Sequence, residues 1–460
     1  MPIRAMYNHL WDSGIERKEK GMANIKPFKG YRYNTEKINH LGEVVSPPYY
    51  KIKPEEKTAL FDMSKYNSVR LFSGRSYDDD TPENNRFTRA AAYLKSWIAD
   101  GILKRDEQPA IYMYEETIQV GDVQYSNRSF IALMELEELG NGTIMSCEEI
   151  REVSMQDRYD FLTATNADMS MISCLYAERD KMLLNLMNDL SEEEPDMTFD
   201  SYEDMHQRVW VITYQPTIDL IVEQFKNLPL YISEGQTRYE TCLKYRDYKK
   251  ANNPNHTGKE PYNYTMVSLI NTGSDGIVIL PVHRGVKCPK GFKQDFFVSC
   301  AQDHFKVEKI IVDATEGSMV ETMKKQIATS RSETRIAVYC GGNYFYRMTL
   351  TDKDYIKKEM LPDRSQAYCS LDVVALNKLL LEDILHITPE TYDERVYLAR
   401  SYISLFDAVR EGQYDIMFML NPVKMDQIRN VTAAGEKMPE KTLSIFPKPS
   451  VGVVINIKED

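Results

Sequence analysis

Pro229-Leu-Tyr-Ile-Ser-Glu-Gly-Gln-Thr-Arg-Tyr239 runs from a short apolar segment into Tyr239 to Lys250, a stretch rich in Tyr, Lys and Arg. The run Pro229 to Ser233 reads as a buried strand and the basic stretch as a helix, so Glu234 to Arg238 sits on a strand-to-helix turn. Glycine at such a turn lets backbone N–H groups approach an anion, and the helix N-terminus adds partial positive charge. Arginine supplies a planar donor for oxyanions, and the acidic residue can take a hydroxyl proton or hold a metal ion. The spacing alone also fits a purely structural role, with Glu234 capping the helix and Arg238 in a surface ion pair.

The rest of the chain limits what that turn can belong to. At 460 residues with 42% hydrophobic and 11% aromatic content, the chain is an ordered protein of two or three structural units. Thirty tyrosines favour a mixed α/β fold with substantial sheet. A net charge of -12 argues against a nucleic-acid surface. The seven cysteines stand far apart with no CxxC pair, which argues against a disulfide framework or structural zinc and points to a reducing cytoplasm. No stretch approaches the roughly 18 apolar residues of a membrane helix, and the polar start lacks the apolar core of a signal peptide.

Moving outward from the turn, residues 25–33 and 44–49 read as early strands, the second ending at Pro47-Pro48. Asn84 to Ile102 has helical apolar spacing, while Ala110 to Glu116 and Arg128 to Glu138 alternate as strands around a polar turn at Gly121-Asp122. Residues 146–176 read as irregular; 206–213 reads as a strand, 216–225 as a helix, and Gly341-Gly342 as a hairpin turn. Farther on, 372–385 and 397–411 read as helices, and 415–420 and 450–457 as strands. The expected organisation is an extension over 1–24 and a main mixed α/β unit over 25–287 that carries the motif. A smaller α/β unit over 288–410 and a closing segment, 411–460, returning to the main unit complete it.

GxxxxGK[ST], strand-linked GxGxxG, HExxH and GxSxG are all missing. Polar residues instead gather at the ends of apolar segments, where sheet-based sites form. His283-Arg284 is either a second phosphate-binding pair or a core histidine beside a structural arginine. Cys147-Glu-Glu149, followed by Asp157-Arg158, could bind Mg²⁺ with substrate phosphates or form a solvated face. Lys441 and Lys448 could offer point charges to an anion or cover a surface.

Six segments occur in an order that resembles the bacterial and archaeal domain-of-unknown-function family number 1015. They are Val45-Ser-Pro-Pro-Tyr49, Glu148 with Asp157-Arg158, Leu230 to Glu240, Leu280-Pro-Val-His-Arg284, Phe418-Met-Leu-Asn-Pro422, and Met438-Pro-Glu-Lys441 through Lys448. The family's central motif usually reads Asp-Gly-His-His-Arg-Tyr. It is similar to the phosphate-binding motif of the ParB/sulfiredoxin-like fold, which includes kinases of free serine. The resemblance implies a ParB/sulfiredoxin-like nucleotide-binding unit inside a larger mixed-sheet protein. It further implies phosphoryl transfer from ATP or ADP, with Mg²⁺, to a small hydroxylated metabolite such as L-serine.

In that reading Gly235, Gln236, Thr237 and Arg238 cradle phosphates, with His283, Arg284, Arg158 and Lys441 in support. Glu234 or Glu148 would then be the base or the magnesium ligand. The partners are a nucleotide and a small molecule, without nucleic acid or membrane, and self-association stays open. The chain departs from the family pattern at Gln236 and Thr237, which replace two histidines, at Glu234 for aspartate, at Cys147 for histidine and at Tyr50 for aspartate. The amide and the hydroxyl can donate to phosphate but cannot shuttle protons near neutral pH. A nucleotide-binding protein that turns over slowly or not at all is therefore the alternative.

Overall fold

The computed structural model describes residues 23–120, 123–139, 143–149, 155–201, 205–274, 276–312, 316–328, 333–446 and 448–459. The expected extension falls almost wholly outside them, as does the Gly121-Asp122 turn. The fold is mixed α/β and is built on two large sheets. The first has nine strands: β1 (Ile25–Lys26), β2 (Ile111–Val120), β3 (Val123–Glu135), β4 (Ile144–Ser146), β5 (Ile172–Tyr176), β6 (Met197–Asp200), β7 (His206–Ile212), β8 (Leu230–Glu234) and β9 (Tyr264–Asn271). Their spatial order is β4-β8-β5-β9-β3-β2-β7-β6, with β1 joining the free part of β3. The β4–β8 and β5–β9 pairs are parallel and the others antiparallel.

Alternation along the central strands shows why this sheet is covered on both faces. Phe130, Ala132 and Met134 point into one apolar cluster with Ile111 and Met113, while Ile131 and Leu133 point into another with Tyr112 and Tyr114. The first cluster takes Ile218, Ile221 and Phe225 from the helix Gln215–Phe225, and Tyr239 and Cys242 from the helix after the motif. The second takes Leu94 and Trp97 from the amphipathic helix Arg86–Ala99, together with Val451 to Ile457 of the closing segment. Each fully buried side chain of this kind stabilises the fold by about 1.5–3 kcal/mol.

The second sheet contains β10 (His283–Val286), β11 (Phe305–Ile311), β12 (Arg335–Tyr339), β13 (Tyr344–Leu350), β14 (Val396–Ala399) and β15 (Ile416–Met419). Its order is β11-β13-β12-β15-β10-β14. Gly341 and Gly342, both at positive φ, turn β12 into β13 as expected. Among the described residues no helix is long and apolar enough to cross a membrane.

Several expected elements differ. Residues 146–176, read as irregular, contain the helix Gln156–Thr165 and strand β5. The stretch 397–411 opens as strand β14 before turning helical at Tyr402. Pro27 and Gly30 split the first strand, because proline cannot donate and Gly30 lies against the Tyr112 hydroxyl, to which its N–H donates. Residues 44–49 form a turn with one bridge, Ser46 to Val451, and 450–457 pairs only at Val451, Ile455 and Asn456–Ile457.

One hydrogen-bonded pair fixes the helix that follows the motif. The Tyr239 hydroxyl donates to the Glu137 carbonyl (2.7 Å) and accepts from the Glu137 N–H (2.9 Å). Tyr239→Phe leaves both backbone groups unsatisfied and should lower stability by about 1–3 kcal/mol. Denaturant unfolding checks it; an unchanged midpoint would mean that this contact does not hold the helix.

Candidate functional site

The motif folds as the strand-to-helix turn its residues suggest. β8 ends at Glu234, Gly235 adopts φ +90°, and the helix Gln236–Ala251 begins at once. The left-handed turn is needed for space as well as for conformation. A Cβ on Gly235 would lie 2.7 Å from Nη2 and 3.0 Å from Nε of Arg238, so only glycine lets the guanidinium fold back over the turn. From there Arg238 Nη1 donates to the Ser170 hydroxyl, while its Nε is buried without a partner. Gln236 is buried and engaged within the protein: its Oε1 accepts from the Ser146 hydroxyl, and its Nε2 donates to Glu240 Oε1 (2.8 Å). The Thr237 carbonyl accepts from the Thr241 hydroxyl (2.6 Å).

Arg238 faces a cavity of about 300 Å³ that is also lined by Arg158, Arg86, Tyr49, Asp157 and Asp168. The helix Gln156–Thr165 packs between Arg86–Ala99 and Gln236–Ala251, and so brings one arginine from each helix to the same opening. Phe72, Phe87, Phe161, Leu162 and Ile172 supply apolar wall. Arg158 lies over the Tyr49 ring, 4.7 Å from its centroid, and donates to the Tyr49 hydroxyl. Burial lowers the Arg158 pKa, and the nearby charge of Arg238 adds to that effect. Arg86 pairs with Asp157. Among the described residues neither Arg158 nor Arg238 forms an ion pair. Two half-buried guanidinium groups that repel each other, neither in an ion pair among the described residues, make a site that an anion would stabilise.

The carboxylates expected to act as base or metal ligand lie elsewhere. Glu234 pairs with Lys448, and both side chains are largely buried. Glu148 Oε1 accepts from the Thr442 N–H (2.9 Å) and the Leu443 N–H. Burial pushes the Glu148 pKa up to about 7, against the opposing pull of those two amides and of Lys448. The closing segment therefore crosses both carboxylates, and neither lines the arginine cavity. A protein-held Mg²⁺ does not fit these residues. Lys448 occupies a Glu234 oxygen, Glu148 is clamped by amides, and the described residues contain no cluster of three or more potential metal ligands.

His283 and Arg284 sit on β10 of the second sheet, away from that cavity. His283 Nδ1 accepts from the Leu420 N–H (3.2 Å), and burial followed by the Arg284 charge lowers its pKa to about 4, so the ring is neutral. Arg284, fully buried, donates to the Val282 carbonyl (2.5 Å), the Tyr392 hydroxyl (3.1 Å) and the Lys441 carbonyl (3.2 Å). It thereby holds the backbone next to the two amides that clamp Glu148. The Lys441 side chain is exposed beside Glu440. The structure thus joins Arg238 to Arg158, and Glu234 to Lys448. Arg86 and Asp168 escaped the sequence reading: Arg86 opens a helix that reads as ordinary packing, and Asp168 stands in an irregular-looking stretch.

The chain belongs to the family described as "Protein of unknown function (DUF1015)", which matches residues 25–374. No curated protein matches it. Among solved structures, a conserved hypothetical protein from Pyrococcus furiosus is 12% identical, with 74% of this chain and 98% of that chain covered and a TM-score of 0.32. A free serine kinase in complex with AMP is 10% identical, with 71% and 91% covered and a TM-score of 0.33. SbnI with a C-terminal truncation, from Staphylococcus aureus, is 12% identical, with 71% and 82% covered and a TM-score of 0.29. At these scores the likeness is distant.

The Glu148 environment has a measurable consequence. Between the ordinary carboxylate range and about pH 7 the folded protein keeps a proton that the unfolded chain has released. Stability therefore falls as pH rises through that window and levels off above it. Glu148→Gln, which keeps an oxygen for both amides, should flatten the slope of urea midpoints between about pH 5 and 7. An identical slope in the variant would contradict the assignment.

Proposed function

We propose that this protein binds ATP or ADP in the arginine cavity and transfers a phosphoryl group to a small hydroxylated metabolite, with free L-serine the first acceptor to test. One observation carries the reading: Arg238 and Arg158 share a half-enclosed cavity with no ionic partner among the described residues, beside apolar wall. Guanidinium groups suit phosphate oxygens, and the apolar side suits a base. A volume of about 300 Å³ is at the small end of the range for ligand pockets. Phosphoryl transfer asks little covalent chemistry of a protein beyond positioning and charge stabilisation. Mg²⁺ would arrive on the nucleotide phosphates as part of the substrate.

A second reading, nucleotide binding without turnover, draws on the engagement of Glu234 by Lys448 and on Gln236 and Thr237 where family members carry imidazoles. Incubation with ATP or ADP, Mg²⁺ and a panel of amino acids and polyols, followed by mass spectrometry, separates the two. Phosphorylated acceptor supports transfer, whereas nucleotide binding with no product from any acceptor supports the second reading.

Arg238→Ala should weaken nucleotide binding by about 2–4 kcal/mol, the loss expected when a desolvated charged hydrogen bond is removed. Calorimetry on the folded variant checks it, and unchanged affinity would refute this placement of the phosphates.

A further inference from the structure

The cavity has a second pole that the arginines do not explain. Asp168 lies on a two-residue strand, Ala167–Asp168, paired with Asn456–Ile457 near the chain's end. Its side chain is 6% exposed, and its two oxygens are used very unequally. Oδ2 accepts from the Met266 N–H (3.1 Å), Asn456 Nδ2 (2.8 Å) and Lys458 Nζ (2.9 Å). Oδ1 accepts from nothing among the described residues, and Arg238, whose Nε is buried without a partner, lines the same cavity. Asp168 is one of the residues lining the cavity, and Oδ1 is its oxygen without a protein donor among the described residues.

The support behind Oδ2 is extensive. Lys458, 1% exposed, also donates to the Tyr264 carbonyl. Its own backbone is latched to Asn166 in both directions, N–H to carbonyl at 2.8 Å and carbonyl from Nδ2 at 2.6 Å. A carboxylate this enclosed, with three donors on one oxygen and none on the other, has a fixed orientation and one vacant acceptor position. Glu234 and Glu148 do not line this cavity.

We propose that Asp168 is the catalytic carboxylate for the acceptor, its Oδ1 taking the hydrogen bond, and then the proton, of the acceptor's hydroxyl. This rests on the phosphoryl-transfer reading above. The hydroxyl oxygen attacks the terminal phosphorus of ATP or ADP, forming the new P–O bond. The bond from that phosphorus to the bridging oxygen breaks, and its electron pair leaves with the departing nucleotide. The hydroxyl proton passes to Oδ1 and from there to solvent. The arginines hold the phosphoryl oxygens, so the nucleotide's terminal phosphate lies at one end of the cavity and the acceptor's small alcohol at the other.

The test compares Asp168→Asn with the wild-type protein, measuring ADP and ATP affinity by calorimetry and product formation by mass spectrometry. The expected result is a kcat lower by on the order of 100-fold or more, with nucleotide Kd within about threefold. Because the single variant strands the Lys458 charge, Asp168→Asn combined with Lys458→Met is measured alongside it, with circular dichroism to verify folding. That neutral pair should be folded, bind nucleotide and remain inactive. Turnover within about threefold of wild type in either folded variant overturns the assignment, as does a loss of nucleotide affinity large enough to account for the lost rate, which would place Asp168 on the nucleotide's ribose. Absence of product from the wild-type protein removes the transfer reading and this assignment together, whereas product from a variant removes the assignment alone.

Discussion

The buried ion pair between Lys448 and Glu234 ties the last part of the chain to the turn on which the site is built. Both side chains are largely buried, and removing one partner of a buried pair is strongly destabilising even where the pair adds little net stability. The same segment bonds to Cys147 through Met438, clamps Glu148 through Thr442 and Leu443, bridges Ser46 at Val451 and Tyr31 at Ile455, and ends on Asp168 through Lys458. Residues 438–446 and 448–458 thus act as a strap across the nine-stranded sheet. Arg284 of the second sheet holds one point of it, the Lys441 carbonyl.

That strap sorts the charges. Acidic residues outnumber basic ones in this chain, 69 to 57, yet the cavity gathers Arg86, Arg158 and Arg238 around one opening. Glu234 and Glu148 are turned to the strap instead, by Lys448 and by two amides. Asp168 is held by Lys458 on one oxygen only. An anion entering the cavity therefore meets guanidinium groups with unused capacity, which is the condition under which charged hydrogen bonds contribute most. Gly235 makes the arrangement sterically feasible, since any side chain there would displace the Arg238 guanidinium.

Local pattern carried much of this. The apolar run before Glu234, the glycine and the basic stretch after it foretell the strand, the turn and the helix, and period-two alternation foretells β2 and β3. The family resemblance expects Arg158 in support of Arg238, and the two side chains line one cavity. What escaped is contact between segments far apart in the chain. Glu148 meets amides 294 and 295 residues away, and no local pattern encodes that clamp. His283-Arg284 looks like a phosphate pair because both side chains can bind anions. Burial makes the histidine neutral and three oxygens occupy the arginine. Asp168 went unseen because its role depends on Lys458, at the other end of the chain.

The central claim is that the arginine cavity is a nucleotide-phosphate site. A crystal structure of the protein grown with ADP tests it most directly. The account predicts phosphate oxygens at about 3 Å from the guanidinium nitrogens of Arg238 and Arg158, with the base against the aromatic wall. ADP bound elsewhere on the protein, or a cavity still empty at millimolar ADP, would contradict it.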